Sequence, residues 1–333
     1  MTDRPSSDPL VTIVMYHFVR PVAASRFPRL AGLELSSFRE QLRYVSRYYS
    51  PIRLRDIIAA AEGARTLPAR PIVLTFDDGY GDHYRHVLPL LVEHGIPGAF
   101  FPVRSALIDR RVLDVNKVQF ILATVTDVAP LIGEIDAAIE ASRDPALQSA
   151  AEYRAKWWIA SRFDGPDVVY VKRMLQHALP DSVRRPLVDT LFRRFVSTDE
   201  AGFAADLYLT IEQSRAMLAA GMEFGGHGDR HIPLTVLGPE AREQEIDGAL
   251  HALDALGVSR KDFAFSYVKG EYDAAGVRLL RERGCGLAVT TRVDLARPVL
   301  SDLLTLPRID ANDLPSEGNA GPNIWTERAL ARQ

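Results

Sequence analysis

Short apolar runs that end on polar or glycine-bearing motifs recur along this chain, with stretches of helical period between them, and that alternation constrains the fold more than any other feature. An apolar run of about four to eight residues followed by a helix is one βα unit, and repeated units build a parallel sheet. The first run, Val11 to Tyr16, precedes a helix expected to start at Ser36 or Ser37, with Phe38, Leu42 and Val45 on one face. Pro71 to Phe76 is apolar on both alternating faces, the pattern of a strand covered on both sides. Its helix carries Val87, Leu90 and Leu91 and stops at Gly95, and a third strand, Gly98 to Val103, follows at once. Further strands are expected at Gly221 to Gly225, Phe263 to Tyr267, Gly286 to Thr290 and Leu303 to Pro307, with helices at 239–255 and 272–283. Such a set suits an α/β barrel or a doubly wound sheet.

Between Arg104 and Asp206 the pattern turns to helices alone, at Leu113 to Thr124, Pro130 to Ser142, Ala150 to Arg162 and Val168 to Val196. No repeat, low-complexity tract or Gly/Ser linker sets this block apart. It therefore reads as an insertion, 104–206, packed within a single domain spanning 1–333. The end of the chain, 314–333, is polar and holds Gly318, Gly321 and Pro322, as a surface-hugging or partly loose tail would.

Composition narrows the classes of partner. Hydrophobic residues at 47% and charged residues at 25% of 333 allow a sizeable core and exclude a largely disordered chain. A net charge of -3 gives no electrostatic footprint for nucleic acid or an anionic membrane, so neither partner is expected. The single cysteine, Cys285, excludes an internal disulfide and an all-cysteine zinc site. Met1 to Pro9 is polar and proline-containing where a signal peptide needs an apolar run, and no apolar stretch reaches ~18 residues. A cytoplasmic location is the expectation.

The strongest chemical signal is Thr75-Phe76-Asp77-Asp78-Gly79, two adjacent carboxylates at the carboxyl end of a buried strand, where α/β folds build their sites. Like charges side by side are costly unless a cation or proton intervenes. Successive residues of a strand face opposite ways, so one carboxylate can bind a metal while the other stays free as a base. Gly225-Gly226-His227-Gly228-Asp229-Arg230-His231 follows another apolar strand and sets two imidazoles four residues apart. His227, His231 and one aspartate make three ligands with a fourth position open, a layout of catalytic zinc. His17 also ends a strand and is expected on the same rim. His83, His86, His94, His177 and His251 are expected in solvated or packed roles, and Trp157-Trp158 either stack a sugar or fill a helix seam.

At these motifs the sequence resembles the polysaccharide deacetylase family, carbohydrate esterase family 4. TFDDG, the H-x-x-x-H pair and Tyr267-Val268-Lys269-Gly270 occur in the family's order, over 10–103 and 207–313, and the opening Met-Tyr-His and closing Leu306-Pro307-Arg308-Ile309 resemble one branch of it. With the runs read above, about seven strands, the expected fold is α/β, a distorted (β/α) barrel with the large helical insertion, a block the resemblance leaves unaccounted for. The resemblance implies Asp77 as general base and Asp78, His227 and His231 as ligands of a metal, most often zinc. Tyr267 and Lys269 occupy the family's third motif, which implies that both bind substrate and that the loop supplies an oxyanion donor at the Lys269 backbone N–H. Ser266 and Val268 stand where many members carry Arg and Pro, so Arg308 is the substitute partner for the catalytic aspartate. No histidine follows His251, so the general acid is assigned to His17. Gly228 replaces the usual Ser or Thr and is expected to loosen the loop between the imidazoles.

The reaction implied is hydrolysis of an N-acetyl or N-formyl group from an amino sugar. With a cytoplasmic location, a small or nucleotide-linked sugar is expected, the insertion narrowing the entrance with Tyr153, Arg154, Trp157, Trp158 and Lys172; the alternatives are a polysaccharide or oligosaccharide substrate, or a sugar-binding protein with a decayed site.

Overall fold

The computed structural model describes residues 10–161 and 164–331; Met1 to Pro9 and the Arg162 end of an expected helix lie outside the described residues. The chain divides into two compact units, one made of residues up to 21, 32–110 and 205 onwards, the other of 22–31 and 111–204.

Among its described residues the first unit holds ten strands: β1 (Thr12–Tyr16), β2 (Val19–Arg20), β3 (Leu33–Glu34), β4 (Ser50–Pro51), β5 (Pro71–Asp78), β6 (Gly98–Pro102), β7 (Glu223–Phe224), β8 (Phe263–Ser266), β9 (Cys285–Val289) and β10 (Ile309–Asp310). Five of them run in the order β10-β1-β5-β6-β7, with β4 added beside β5, and all are parallel. β8 and β9 form a separate parallel pair, bridged to the ends of this sheet at Gly226 to Phe265 and Val289 to Leu306. The architecture is thus α/β with parallel sheet, as expected, while a continuous seven-stranded ladder is not what the pairings describe. Leu303 to Pro307 departs from expectation: it begins as a helical turn over Leu303–Thr305, and the strand lies beyond it at Ile309–Asp310. Pro307 has no amide to give a ladder, which explains the shift.

Register fixes what each strand end faces. Tyr16 pairs Phe76, and Asp77 and Asp78 pair Phe101 and Pro102 of β6. The sheet is buried on both sides. Val73, Ala99 and Phe101 join Ile13, Leu287 and Val289 in one apolar cluster, while Leu74, Phe76 and Phe100 join Tyr16, Phe38 and Leu42 in another. Asp77 shares the parity of Val73 and Thr75 and so continues the face of the first cluster. The helix Leu35–Tyr48 buries Phe38, Leu42 and Val45 as read from the sequence, but Ser36 and Ser37 lie inside its first turn and Glu34 makes no side-chain cap. β3 runs straight into this helix, which leaves no separate capping residue.

The end of the chain is tied down. Asn323 caps the helix Ile324–Leu330, and the fully buried Thr326 hydroxyl bonds Tyr44 at 2.7 Å and Tyr49 at 2.8 Å.

The second unit is helical among its described residues, with helices at Asp114–Thr124, Ala129–Ala141, Ala150–Trp157, Pro166–Arg173 and Asp181–Phe195. The single helix expected over Val168 to Val196 is broken by a wide turn at Met174–Ala178 and by Pro180, which cannot donate the next helical bond. Phe120 and Leu191 are buried in its core, with Phe27 meeting Phe120 edge-on at 4.8 Å.

Candidate active site

Six candidate residues, His17, Asp77, Asp78, His227, His231 and Arg308, all belong to the first unit; the first five end or follow strands at their carboxyl side, and Arg308 stands directly before β10. Asp77 and Asp78 close β5, yet they do not point to opposite faces as simple alternation implies. Asp78 has φ 69° and Gly79 φ 73°, so the chain turns left-handed at the strand end, where the second carboxylate, still buried, meets partners of its own. Only glycine fits the next position, because a Cβ there would stand 2.6 Å from Cβ of Pro102.

Asp77 is held by Arg308. The guanidinium donates from Nη1 to Oδ1 at 3.0 Å and from Nη2 to Oδ2 at 2.7 Å, a bidentate pair. Its remaining donors reach Thr290 O at 2.9 Å, Thr75 Oγ1 at 3.1 Å and Ser266 Oγ at 3.1 Å. Ser266 in turn donates to Asp77 Oδ2 at 3.1 Å. Arg308 therefore stands where it was expected, and Ser266 completes the cradle. Burial pushes the Asp77 carboxyl up, but the Arg308 guanidinium and His227 outweigh it and hold it down to about 2.

Asp78 faces the two histidines. His227 Nε2 lies 3.4 Å and His231 Nε2 3.3 Å from Asp78 Oδ1, while Tyr80 donates its hydroxyl to Oδ2 at 2.6 Å. Burial pushes the Asp78 carboxyl up; His231 and His227 overcome it and hold it well below the carboxylate range. Burial works against the charged His227 imidazole, but Asp78 and Asp77 raise it above its usual value.

The residues fit a metal on two observations. Oδ1 of Asp78 is buried without a hydrogen-bond partner. His227 Nδ1 lies 2.7 Å from the carbonyl of Ser266, which can only accept, so Nδ1 carries a proton and, when the ring is neutral, Nε2 turns a lone pair toward a carboxylate. Lone pair facing lone pair requires a cation or a proton between them. Among the described residues, Asp78, His227 and His231 can bring one ligand atom each within 4.8 Å of one another.

His17 is exposed and sits one residue past β1, beside Asp77 by register. Its carbonyl lies 2.9 Å from His83 Nε2, and His83 is buried among Phe76, Tyr80 and Phe100, with burial pulling its imidazole down to about 4. His83 is thus packed, as read from the sequence, and also supports the segment that bears His17. Tyr267 departs from the substrate-binding expectation: its side chain is buried and its hydroxyl donates to Leu304 O at 3.1 Å. Lys269 sits exposed in a tight turn at φ 56°. Trp157 belongs to the helical unit, edge-on to His177 at 5.6 Å, while Arg154 pairs Asp136, Lys172 pairs Asp164 at 2.6 Å and Trp158 stacks on Tyr170. Thr75, Tyr80 and Ser266 were missed by sequence reasoning; Thr75 lies in the TFDDG motif, two positions before Asp77 on the same strand face, which is the signal that could have found it.

Residues 64–126 match the polysaccharide deacetylase family, a segment that contains both aspartates. Over 93 residues, 28% of the chain, the sequence is 34% identical to the poly-beta-1,6-N-acetyl-D-glucosamine N-deacetylase of Escherichia coli K12, and the chain spans 14% of that relative's length. IcaB of Ammonifex degensii superposes with a TM-score of 0.56 at 17% identity, covering 98% of this chain and 97% of that one. The deacetylase PplD of Streptococcus pyogenes, solved with acetate, gives 0.54 at 17%, covering 97% of this chain and 98% of that one. At such identity the two structures speak for the fold, and the family match speaks for the aspartate segment. Together with the motif order they bear out the resemblance to the polysaccharide deacetylase family read from the sequence, with the family itself matched over residues 64–126.

Proposed function

We propose that the chain is a metal-dependent N-deacetylase acting on a polymer of N-acetylated amino sugars. The observation that carries the chemistry is the division of the adjacent aspartates: Asp77 is locked to Arg308 and Ser266, and Asp78 is turned to two imidazoles around an unpartnered buried oxygen. In this reading Asp78, His227 and His231 hold the cation, zinc fitting a set of two nitrogens and one oxygen. The chemistry such a cation supplies when bound is polarisation of an amide carbonyl and acidification of water. Asp77, kept ionised at neutral pH by Arg308, takes the proton of the attacking water; a carboxylate held this low is a weak base, so its effect rests on position. The Lys269 backbone N–H steadies the developing oxyanion. His17 gives a proton to the departing amine, and the products are a free amine and acetate.

The substrate reading changes from the one expected on sequence. The relatives are named for a polymer, poly-beta-1,6-N-acetyl-D-glucosamine, and this supports the polysaccharide alternative over a small or nucleotide-linked sugar. The test is amine release from β-1,6-linked N-acetylglucosamine oligomers of increasing length, beside chitin oligomers and a nucleotide-linked acetamido sugar. Turnover should rise with length on the β-1,6 series. Turnover confined to the nucleotide sugar would restore the small-substrate reading, and no release from any of them would remove the enzymatic one.

A further inference from the structure

The loop that carries His231 has an anchor outside the metal-binding motif. Helix Pro239–Leu256 presents Glu245, fully buried, and its Oε1 accepts from three successive parts of that loop: Asp229 N at 3.0 Å, Arg230 N at 2.9 Å and Ile232 N at 3.1 Å. The bonded amides flank His231, which itself sits at φ 61°, a left-handed conformation that a histidine adopts only when its surroundings impose it. On the other side of the loop, the amides of Arg104 and Ser105 donate to Gly228 O at 3.2 Å and Asp229 O at 2.9 Å. Three amides and two carbonyls of this short segment are thus held by two supports.

Two glycines show that the close approach of the helix is required. A Cβ on Gly228 would stand 2.5 Å from Glu245 Oε1, and a Cβ on Gly248, three residues on from Glu245, would stand 2.5 Å from Cβ of Asp229. Gly228 therefore does not leave the loop loose, as the sequence implied. It makes room for a carboxylate that bonds the loop backbone directly.

We propose that Glu245 is a positioning residue that holds the His227–His231 loop in its ligand-bearing geometry, so that His231 meets the cation without having to be ordered by it. This inference rests on the metal reading above. Reach matters here and charge does not: the acceptor must arrive at three amides at once. Glu245→Gln keeps an oxygen at the same distance, whereas Glu245→Asp keeps the charge and withdraws it by one methylene.

The experiment is zinc affinity of the full chain by competition with a chelator, without substrate, on the parent protein and the two variants. Glu245→Asp should bind zinc ~10–100-fold more weakly, the range seen when outer supports of a metal site are removed, and Glu245→Gln should stay within a few-fold. Amide exchange of the metal-free proteins is the second readout: Asp229, Arg230 and Ile232 should lose protection in Glu245→Asp and keep it in Glu245→Gln. If Glu245→Asp fails to fold, Gly228→Ala in the parent replaces it, because its Cβ drives into the same oxygen and should weaken zinc by a similar factor. A parent protein that takes up no zinc overturns the metal reading and this inference with it. A parent that binds zinc, beside a Glu245→Asp or a Gly228→Ala variant that binds it equally well, overturns the anchor alone, as does a Glu245→Gln variant as weak as Glu245→Asp.

Discussion

Replacing Arg308 by methionine retains an apolar side chain of some length and removes the cation from Asp77. The Arg308 side chain is 0% exposed and that of Asp77 2%, so water screens neither charge. Removing one member of such a buried pair leaves the other without a counter-ion and costs about 3–5 kcal/mol. The donors to Thr290 O and Thr75 Oγ1 go as well, which places the loss toward the upper end. The pH dependence has a definite sign. The Asp77 carboxyl is held down to about 2 in the folded protein, against ~4 when unfolded, so the pair's contribution is present above the unfolded value and is lost as pH falls through the folded one. In Arg308→Met burial acts on the carboxyl without its main opponent, and the deficit is greatest at neutral pH and narrows below ~4. The assay is urea unfolding with a chelator present, for Arg308→Met, Asp77→Asn and the double variant. The double variant should recover much of the Arg308→Met loss, because no carboxylate is left stranded. A loss under ~1 kcal/mol, the size of a surface pair, would refute the reasoning. Strict additivity of the two single changes would do so too.

His231→Ala should release about one equivalent of zinc, and metal analysis showing undiminished content would remove that residue from the ligand set. Asp77→Asn should retain the metal and lose ~10²–10⁴ in turnover, the range of a lost general base, whereas Asp78→Asn should lose both. His17→Ala should leave metal content unchanged and depress turnover by a similar ~10²–10⁴; activity within a few-fold of the parent would place the acid elsewhere. Lys269→Gly keeps the backbone N–H and relieves a left-handed residue that costs ~1–2 kcal/mol, so it should raise the unfolding free energy and preserve turnover; a large loss of turnover would mean that the side chain itself meets substrate.

What could be read from the sequence was contiguous. Asp77, Asp78, His227 and His231 sit in unbroken motifs that directly follow apolar runs, so strand periodicity places them on one rim without knowledge of the rest. Arg308 was reachable only by noticing that Ser266 stands where a longer side chain was expected, and the structure joins the two: Ser266 is small enough to share Asp77 with a guanidinium that arrives from forty-two positions away. Tyr80 and Glu245 were not legible, because a hydroxyl on Asp78 and a carboxylate on three loop amides are tertiary facts with no local period. Glu245 did leave a trace, a charged residue on the apolar face of its helix with Gly248 one turn away. The long helix expected after Val168 is cut for a different reason: the apolar spacing runs on through Pro180, where a helix cannot.

Strain is concentrated at the candidate site. Six described residues other than glycine have left-handed φ, and three of them are Asp78 at 69°, His231 at 61° and Lys269 at 56°. Each such residue costs ~1–2 kcal/mol and persists only where neighbours over-determine it. At Asp78 the determinants are the Tyr80 hydroxyl and the close packing of Gly79 on Pro102. At His231 they are the three amide bonds to Glu245. At Lys269 they are the bond from Gly270 N to Tyr267 O at 2.8 Å and that from Thr291 Oγ1 to Lys269 O at 3.1 Å. The left-handed turn at Asp78 also explains how neighbouring carboxylates acquire different partners. In an extended strand Asp78 would share the parity of Leu74 and Phe76 and enter the apolar cluster they build, a setting in which a carboxylate has no partner. Turning the backbone at that one residue keeps Asp77 on the face of Thr75, Ser266 and Arg308 and swings Asp78 to the imidazoles, so the separation of the two roles is a property of the strand end itself and precedes any ligand.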